Sequence, residues 1–183
     1  MDASDMGDKL QTVLLTQEQL DTRLDEMAAQ IDADYAGRQV LLVGVLNGAV
    51  MAMADLARKL HTPVRMDWMA VSSYGSGTKS SGVVRILKDL GTDIHGKDVL
   101  IVEDIIDSGL TLSWLVANLQ SREPASLKIA TVLRKPEAAK VDVAVDYVGF
   151  DIPNEFVVGY GLDFAEDYRN LPFVGTLAPH VYE

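Results

Sequence analysis

The stretch Val99-Leu-Ile-Val-Glu-Asp-Ile-Ile-Asp-Ser-Gly-Leu-Thr111 decides the fold. Four apolar residues, Val99 to Val102, predict a buried strand. They deliver two carboxylates, Glu103 and Asp104, to its C-terminal end. A third acid, Asp107, opens a short turn containing Ser108 and Gly109, and a helical pattern begins near Thr111. Gly109 lets the backbone turn tightly, and amides at the start of a helix can point at an anion. Ser108 and Thr111 add hydroxyl donors, although an ordinary N-cap by Ser108 or Asp107 would use the same residue types. In open α/β sheets, ligands sit beyond the carboxyl ends of the strands. Strand, acids, turn and helix in this order suit a phosphorylated sugar.

The flanking chain repeats the alternation. Thr16-Gln-Glu-Gln19 fits a capping box, and the helix that follows carries Leu20, Leu24, Met27, Ala28 and Ile31 on one face. Val40 to Val45 is a continuous apolar run, as expected of a strand buried on both faces. A turn at Asn47-Gly48 leads to a helix from Ala49 to about Leu60, broken at His61-Thr-Pro63, and a strand spans Val64 to Val71. Residues Ser72 to Gly82 are Ser/Gly-rich and predict a mobile loop. A return strand, Val83 to Leu87, completes a long hairpin. Strand 127–133, strand 145–150 and helix 111–121 continue the pattern. The polar residues 1–11 are expected to fray, and the aromatic-rich tail from Asp151 to be irregular. Together these imply one α/β domain with a central, mainly parallel sheet flanked by helices.

Bulk composition narrows the function classes. The chain has 183 residues, 48% hydrophobic and 23% charged, and its net charge is 16 − 27 = −11. Such acidity argues against a broad nucleic-acid surface but not against a small anionic substrate. No apolar run reaches membrane-spanning length. Zero cysteines and an acidic first segment, Met1-Asp-Ala-Ser-Asp5, without signal-peptide character, point to the cytoplasm.

Several familiar motifs are excluded. Gly75-Ser-Gly-Thr-Lys-Ser80 lacks the Gly-Lys-Ser/Thr of a nucleotide P-loop and lies between hairpin strands. There is no Gly-x-Gly-x-x-Gly fingerprint. His61, His95 and His180 have no ligand spacing. The methionines, Trp68 and Trp114 sit in apolar segments and are read as core.

The 99–111 segment resembles the phosphoribosyl pyrophosphate (PRPP) motif of the type I phosphoribosyltransferases. Further segments are similar to the 6-oxopurine branch of that family. They are Val45-Leu-Asn-Gly48, Ser72-Ser-Tyr74, Leu133-Arg-Lys-Pro136, Asp151 to Asp163, and Tyr168-Arg169, so the resemblance runs from about Val13 to Tyr182. It implies a core of about residues 37–140 and a small hood from about 12–20 and 145–183. A flexible catalytic loop would span about 73–83.

The resemblance also implies roles. Glu103 and Asp104 would hold the ribose hydroxyls, and Asp107, Ser108, Gly109, Leu110 and Thr111 the 5′-phosphate. Asp107 would act as general acid/base at the purine N7. Lys135 would donate to the purine O6, Phe156 would stack on the base, and Val157 would meet it through its backbone. Asp163 would sit near the purine C2 edge. Leu46, Asn47 and Gly48, with Arg169, would hold pyrophosphate, and relatives often have a cis peptide between Leu46 and Asn47. Ser73 and Tyr74 would help close the loop. Mg²⁺ would be bound by Glu103, Asp104 and Asp163. The implied reaction is purine salvage from PRPP and hypoxanthine or guanine by a homodimer or homotetramer, with no nucleic-acid or membrane partner. Asn47 stands where many relatives carry Lys: a backbone grip on pyrophosphate tolerates it, whereas a side-chain charge contribution would be lost. Two other classes compete. A PRPP-binding regulator of RNA or DNA is opposed by the net charge. A phosphoacceptor receiver domain explains Glu103-Asp104 but leaves 107–111 and 151–163 without a purpose.

Overall fold

The computed structural model describes residues 1–74 and 83–182. Its elements, in chain order, are β1 (Leu10–Leu15), α1 (Gln17–Asp34), β2 (Val40–Leu46), α2 (Val50–Lys59), β3 (Val64–Tyr74) and β4 (Val83–Lys88). There follow β5 (Asp98–Ile106), α3 (Leu110–Gln120), β6 (Ser126–Arg134), β7 (Tyr147–Asp151), β8 (Val157–Val158) and β9 (Val174–Leu177).

Six strands form the main sheet in the order β4-β3-β2-β5-β6-β7. Neighbours from β3 to β7 pair in parallel, and β4 closes one edge antiparallel to β3. The continuous apolar runs follow from burial on both faces. Val40, Leu42, Leu100, Val102, Ala130 and Val132 pack with α1 and α2. Their alternating neighbours Leu41, Val43, Val99, Ile101 and Ile129 pack with Leu112, Leu115 and Leu119 of α3. This is the two-fold strand period filling two helical layers. Leu20, Leu24, Met27, Ala28 and Ile31 of α1 are all buried, as their spacing predicts. The main layer therefore begins at α1, ahead of the expected boundary at residue 37.

A second, three-stranded sheet has the order β1-β9-β8 and forms the hood. Three expectations change here. Residues 1–11 do not fray: Ser4–Lys9 is a 3-10 turn, β1 starts at Leu10, and Met6 is buried with Val158, Leu171, Phe173 and Leu177. The tail is not wholly irregular, because β8 and β9 lie in it. Residues 147–151 belong to the main sheet rather than the hood, since β7 hydrogen-bonds in register with β6.

Ser72, the expected start of the loop, lies instead in β3. Ser72, Ser73 and Tyr74 pair through their backbones with Arg85, Val84 and Val83. The side chains of Ser73 and Tyr74, and the loop at 75–82, lie outside the described residues.

The capping box at the start of α1 is complete. The Gln19 amide donates to Thr16 Oγ1 at 3.2 Å, and the Thr16 amide donates to Gln19 Oε1 at 2.8 Å. Thr16→Ala should destabilise the protein by about 0.5–2 kcal/mol. Thermal melting checks this, with unchanged melting counting against a contribution from the cap.

Candidate active site

The strand order places the site. From β2 the chain crosses through α2 to β3 on one side, and from β5 it crosses through α3 to β6 on the other. Adjacent β2 and β5 therefore form the topological switch point, and the crevice beyond their carboxyl ends is where such sheets bind ligands. β2 ends at Leu46 and the loop after it contains Asn47 and Gly48; the loop after β5 contains Asp107, Ser108 and Gly109. The Leu46–Asn47 peptide is cis.

β5 runs past Val102 to Ile106, so Glu103 and Asp104 lie within the strand rather than at its end. In a regular strand, adjacent side chains leave opposite faces. That alternation breaks here, because Ile105 packs on the side of Leu100 and Val102 while Ile106 joins Ile101. The Asp104 carboxyl lies against Gly48, where a β-carbon would overlap Oδ2. Glu103 lies with Val102 among Leu24, Met27, Ala52 and Leu56 of α1 and α2. Protein encloses most of both side chains. Burial pushes Asp104 up to about 6, opposed by the Ile105 amide and its own amide, and by Arg169. Burial, then the charge of Asp104, raises Glu103 well above the usual carboxylate range.

The next loop is open to an anion. Gly109 is the N-cap residue of α3 at φ 78°, and no side chain caps the helix. The Leu110 amide makes a long hydrogen bond to Ser108 Oγ at 3.4 Å, and the helix dipole adds to the pull of the first amides on an anion. The loop is braced from behind: the amides of Lys140 and Val141 donate to the Ser108 carbonyl at 2.9 and 3.3 Å. α2, after the Gly48 loop, also starts without a side-chain cap.

Lys135 follows β6, and its amide donates to the Ile106 carbonyl at 2.9 Å. Its side chain is only 9% exposed, and Nζ lies 3.4 Å from Oδ2 of the more exposed Asp107. One donor and one acceptor thus share one edge of the cleft. An outward-facing cavity of about 190 Å³ adjoins the pair, bounded by Ile106, Pro136, Val141 and Val143.

The hood supplies the opposite wall. Gly161, at φ 97°, presses on the Gly48 carbonyl, which a β-carbon at position 161 would overlap. Arg169 Nη1 donates to the Gly161 carbonyl at 2.8 Å, and the Gly161 amide donates back to the Arg169 carbonyl at 2.9 Å. The Arg169 guanidinium also holds Asp163 at 3.0 Å. Phe156 is 47% exposed and meets Phe164 edge-on and Tyr182 at a tilt, each with ring centroids 5.9 Å apart. Val157 is buried in β8.

Two contact groups therefore form. One joins Lys135 to Asp107 and its loop; the other joins Asp104, Gly48, Gly161, Arg169 and Asp163. The link from β5 Asp104 to Asp107 ties them together. No three His, Asp or Glu residues converge into a ready-made metal cage among the described residues. Asp163, one of the three expected ligands, is engaged by Arg169. The enclosed acids Glu103 and Asp104 still suit Mg²⁺, which typically takes one or two carboxylates and completes its shell with water and substrate phosphates.

Gly161, Tyr160, Phe164 and Tyr182 were given no role from the sequence. Gly159-Tyr160-Gly161 carried a signal, since glycines flanking an aromatic suggest a run of positive φ. The observed values are 95°, 51° and 97°. For Tyr160, which has a β-carbon, this region costs roughly 1–2 kcal/mol.

Known proteins share this arrangement. The model of the phosphoribosyl transferase domain matches residues 11–165. A hypoxanthine-guanine phosphoribosyltransferase of Mycobacterium bovis is 58% identical over 180 residues, covering 95% of this chain and 89% of the relative. Its Bacillus subtilis counterpart is 50% identical over 178 residues, covering 97% and 99%. A crystal structure of a hypoxanthine phosphoribosyltransferase from Staphylococcus aureus superposes with a TM-score of 0.95 at 50% identity, covering 99% of this chain and 98% of that one. With its switch-point site and central sheet, the chain belongs to the phosphoribosyltransferase family, in its hypoxanthine-guanine branch.

Proposed function

We propose that the protein transfers the phosphoribosyl group of PRPP to hypoxanthine or guanine, giving IMP or GMP and pyrophosphate, in purine salvage. The observation that carries the substrate class is the Lys135–Asp107 pair, 3.4 Å apart, beside the uncapped start of α3. A 6-oxopurine presents O6 and N7 on one edge. Lys135 meets O6 as a donor, and Asp107 faces N7 as general acid/base. A 6-amino group would put a donor against the Lys135 donor, which a partly dry pocket rejects well.

The other residues hold the sugar and the departing group. The amides and hydroxyls of residues 107–111 bind the 5′-phosphate, and Asp104 takes a ribose hydroxyl with Glu103 behind it. Phe156 stacks on the base, while the Val157 backbone and Asp163 meet its far edge. The Leu46-Asn47-Gly48 backbone and Arg169 hold pyrophosphate, so charge growing on it is met by fixed donors. Mg²⁺, held at Glu103 and Asp104, would neutralise phosphate charge as the bond to the ribose breaks. Ser73 and Tyr74, at the end of β3, help exclude water from the activated sugar. The proposal includes a homodimer or homotetramer and a cytoplasmic location, the latter in keeping with a chain free of cysteine.

A coupled assay with PRPP, Mg²⁺ and each of five bases tests the reaction; turnover of adenine but not of hypoxanthine or guanine would overturn the reading. Asp107→Asn should fold normally and lose about 10²–10⁴-fold in turnover. Undiminished turnover would remove Asp107 from the chemistry. Lys135→Ala should erode the preference for 6-oxo over 6-amino bases, and an unaltered base profile would refute its assignment.

The raised carboxyls make a further prediction, about stability without ligand. As pH rises from about 4 to 6, the unfolded chain releases the Asp104 proton while the folded chain keeps it. The folded state therefore loses stability across that window and carries the full penalty above it. Asp104→Asn should melt higher than wild type at about pH 7.5, by about 2–4 °C for each kcal/mol relieved. The gap should close below about pH 4, and PRPP binding should be lost throughout. Lower melting of the variant at neutral pH would show that burial of Asp104 carries no such penalty.

A further inference from the structure

The hood and the helical layer are not packed solid where they meet. A cavity of about 210 Å³ separates them, bounded by Gln17, Asp21 and Met51 on one side and by Tyr160 and Asn170 on the other. One polar contact spans it: the Tyr160 hydroxyl donates to Asp55 Oδ2 of α2 at 2.7 Å. Among the described residues it is the one hydrogen bond joining the 157–171 segment to α2.

The placement of Tyr160 gives that bond leverage. The residue is 8% exposed and belongs to the main core rather than to the hood's own cluster. Its backbone, held at positive φ, hands the chain directly to Gly161. Gly161 abuts the Gly48 carbonyl and exchanges hydrogen bonds with Arg169. At the other end of the strut, Asp55 stands on the helix that the Leu46-Asn47-Gly48 loop leads into. A shift of Tyr160 relative to Asp55 thus moves one wall of the cleft against the other. Burial and the Asp55 carboxylate both push the phenol pKa up, which keeps it a donor across the working pH range.

We propose that Tyr160 and Asp55 are positioning residues that set the distance between Arg169 and the Gly48 loop, and hence the grip on the pyrophosphate moiety. Neither touches substrate. The pair acts on the affinity for PRPP and pyrophosphate and not on the base or on the proton held at Asp107. This rests on the phosphoribosyl-transfer reading above.

The test compares Tyr160→Phe, which removes only the hydroxyl, with Asp55→Leu, which removes the acceptor, and Asp55→Asn, which keeps an amide oxygen able to accept. In Tyr160→Phe and Asp55→Leu, KM for PRPP and the inhibition constant of pyrophosphate should rise roughly tenfold, the scale of losing a hydrogen bond to a charged group. KM for the base and kcat should stay within about twofold, and Asp55→Asn should return most of the loss. A merely structural contact would lower Tm without this split. Unchanged KM for PRPP in Tyr160→Phe overturns the proposal, whether or not Asp55→Leu folds. Amide hydrogen exchange needs no turnover and separates the two readings. Faster exchange at residues 46–48 and 159–163 in Tyr160→Phe supports the strut even if the wild type were inactive toward PRPP. Unchanged exchange there rejects it.

Discussion

The site depends on the absence of a side chain at residue 48. The Asp104 carboxyl from β5 occupies the space a β-carbon would need, and the hood's Gly161 presses on the carbonyl of the same residue. Three backbone segments from distant parts of the chain thus meet at one glycine, at the point where the sheet reverses its order. Any larger residue at position 48 would separate β2 from β5 at their ligand-facing ends, or lift the hood from both. The same contact brings Arg169, through the Gly161 carbonyl it binds, to the segment that follows Asn47.

That closeness has an energetic consequence. Among the described residues Asp104 and Glu103 are enclosed without a paired cation, and burial drives both toward the protonated form. Arg169, the nearest positive group acting on Asp104, is already committed to Asp163 and to the Gly161 carbonyl. Uncompensated buried acids are destabilising unless a partner arrives. A ligand that brings hydroxyl donors or a divalent ion relieves the strain that the folded chain otherwise carries. The left-handed backbone of Tyr160 is a second local cost, offset by a buried ring and a hydrogen bond to a carboxylate. Both lie at the cleft, while the ordinary layers elsewhere, with apolar strands between amphipathic helices, supply the stability that sustains them.

Much of the fold was legible because its signals are local. The apolar face of α1, the capping box at Thr16, the two-sided strands and the acid–turn–helix succession each lie within a few residues, and each forms as its spacing implies. Lys135 and Asp107 were identified from separate segments and are brought together by adjacent parallel strands. The misread parts have equally specific causes. β1 is short and lacks a regular apolar–polar alternation, and its partner β9 lies more than a hundred and fifty residues away, so its pairing leaves no local trace. Glu103 and Asp104 were placed at the strand's end because the apolar run stops at Val102. The strand continues to Ile106, and the fold brings the Asp104 carboxyl against Gly48.

By itself the sequence determined the alternating strands and helices of the main layer, the parallel sheet and the acid–turn–helix succession, because periodicity and turn stereochemistry act over neighbouring residues. What the Asp104 carboxyl meets, which glycine lets β2, β5 and the hood converge, and how Tyr160 reaches Asp55 were decided only by the tertiary structure. Those relations depend on where packed backbones, far apart along the chain, come to rest against one another, and no local pattern encodes that distance.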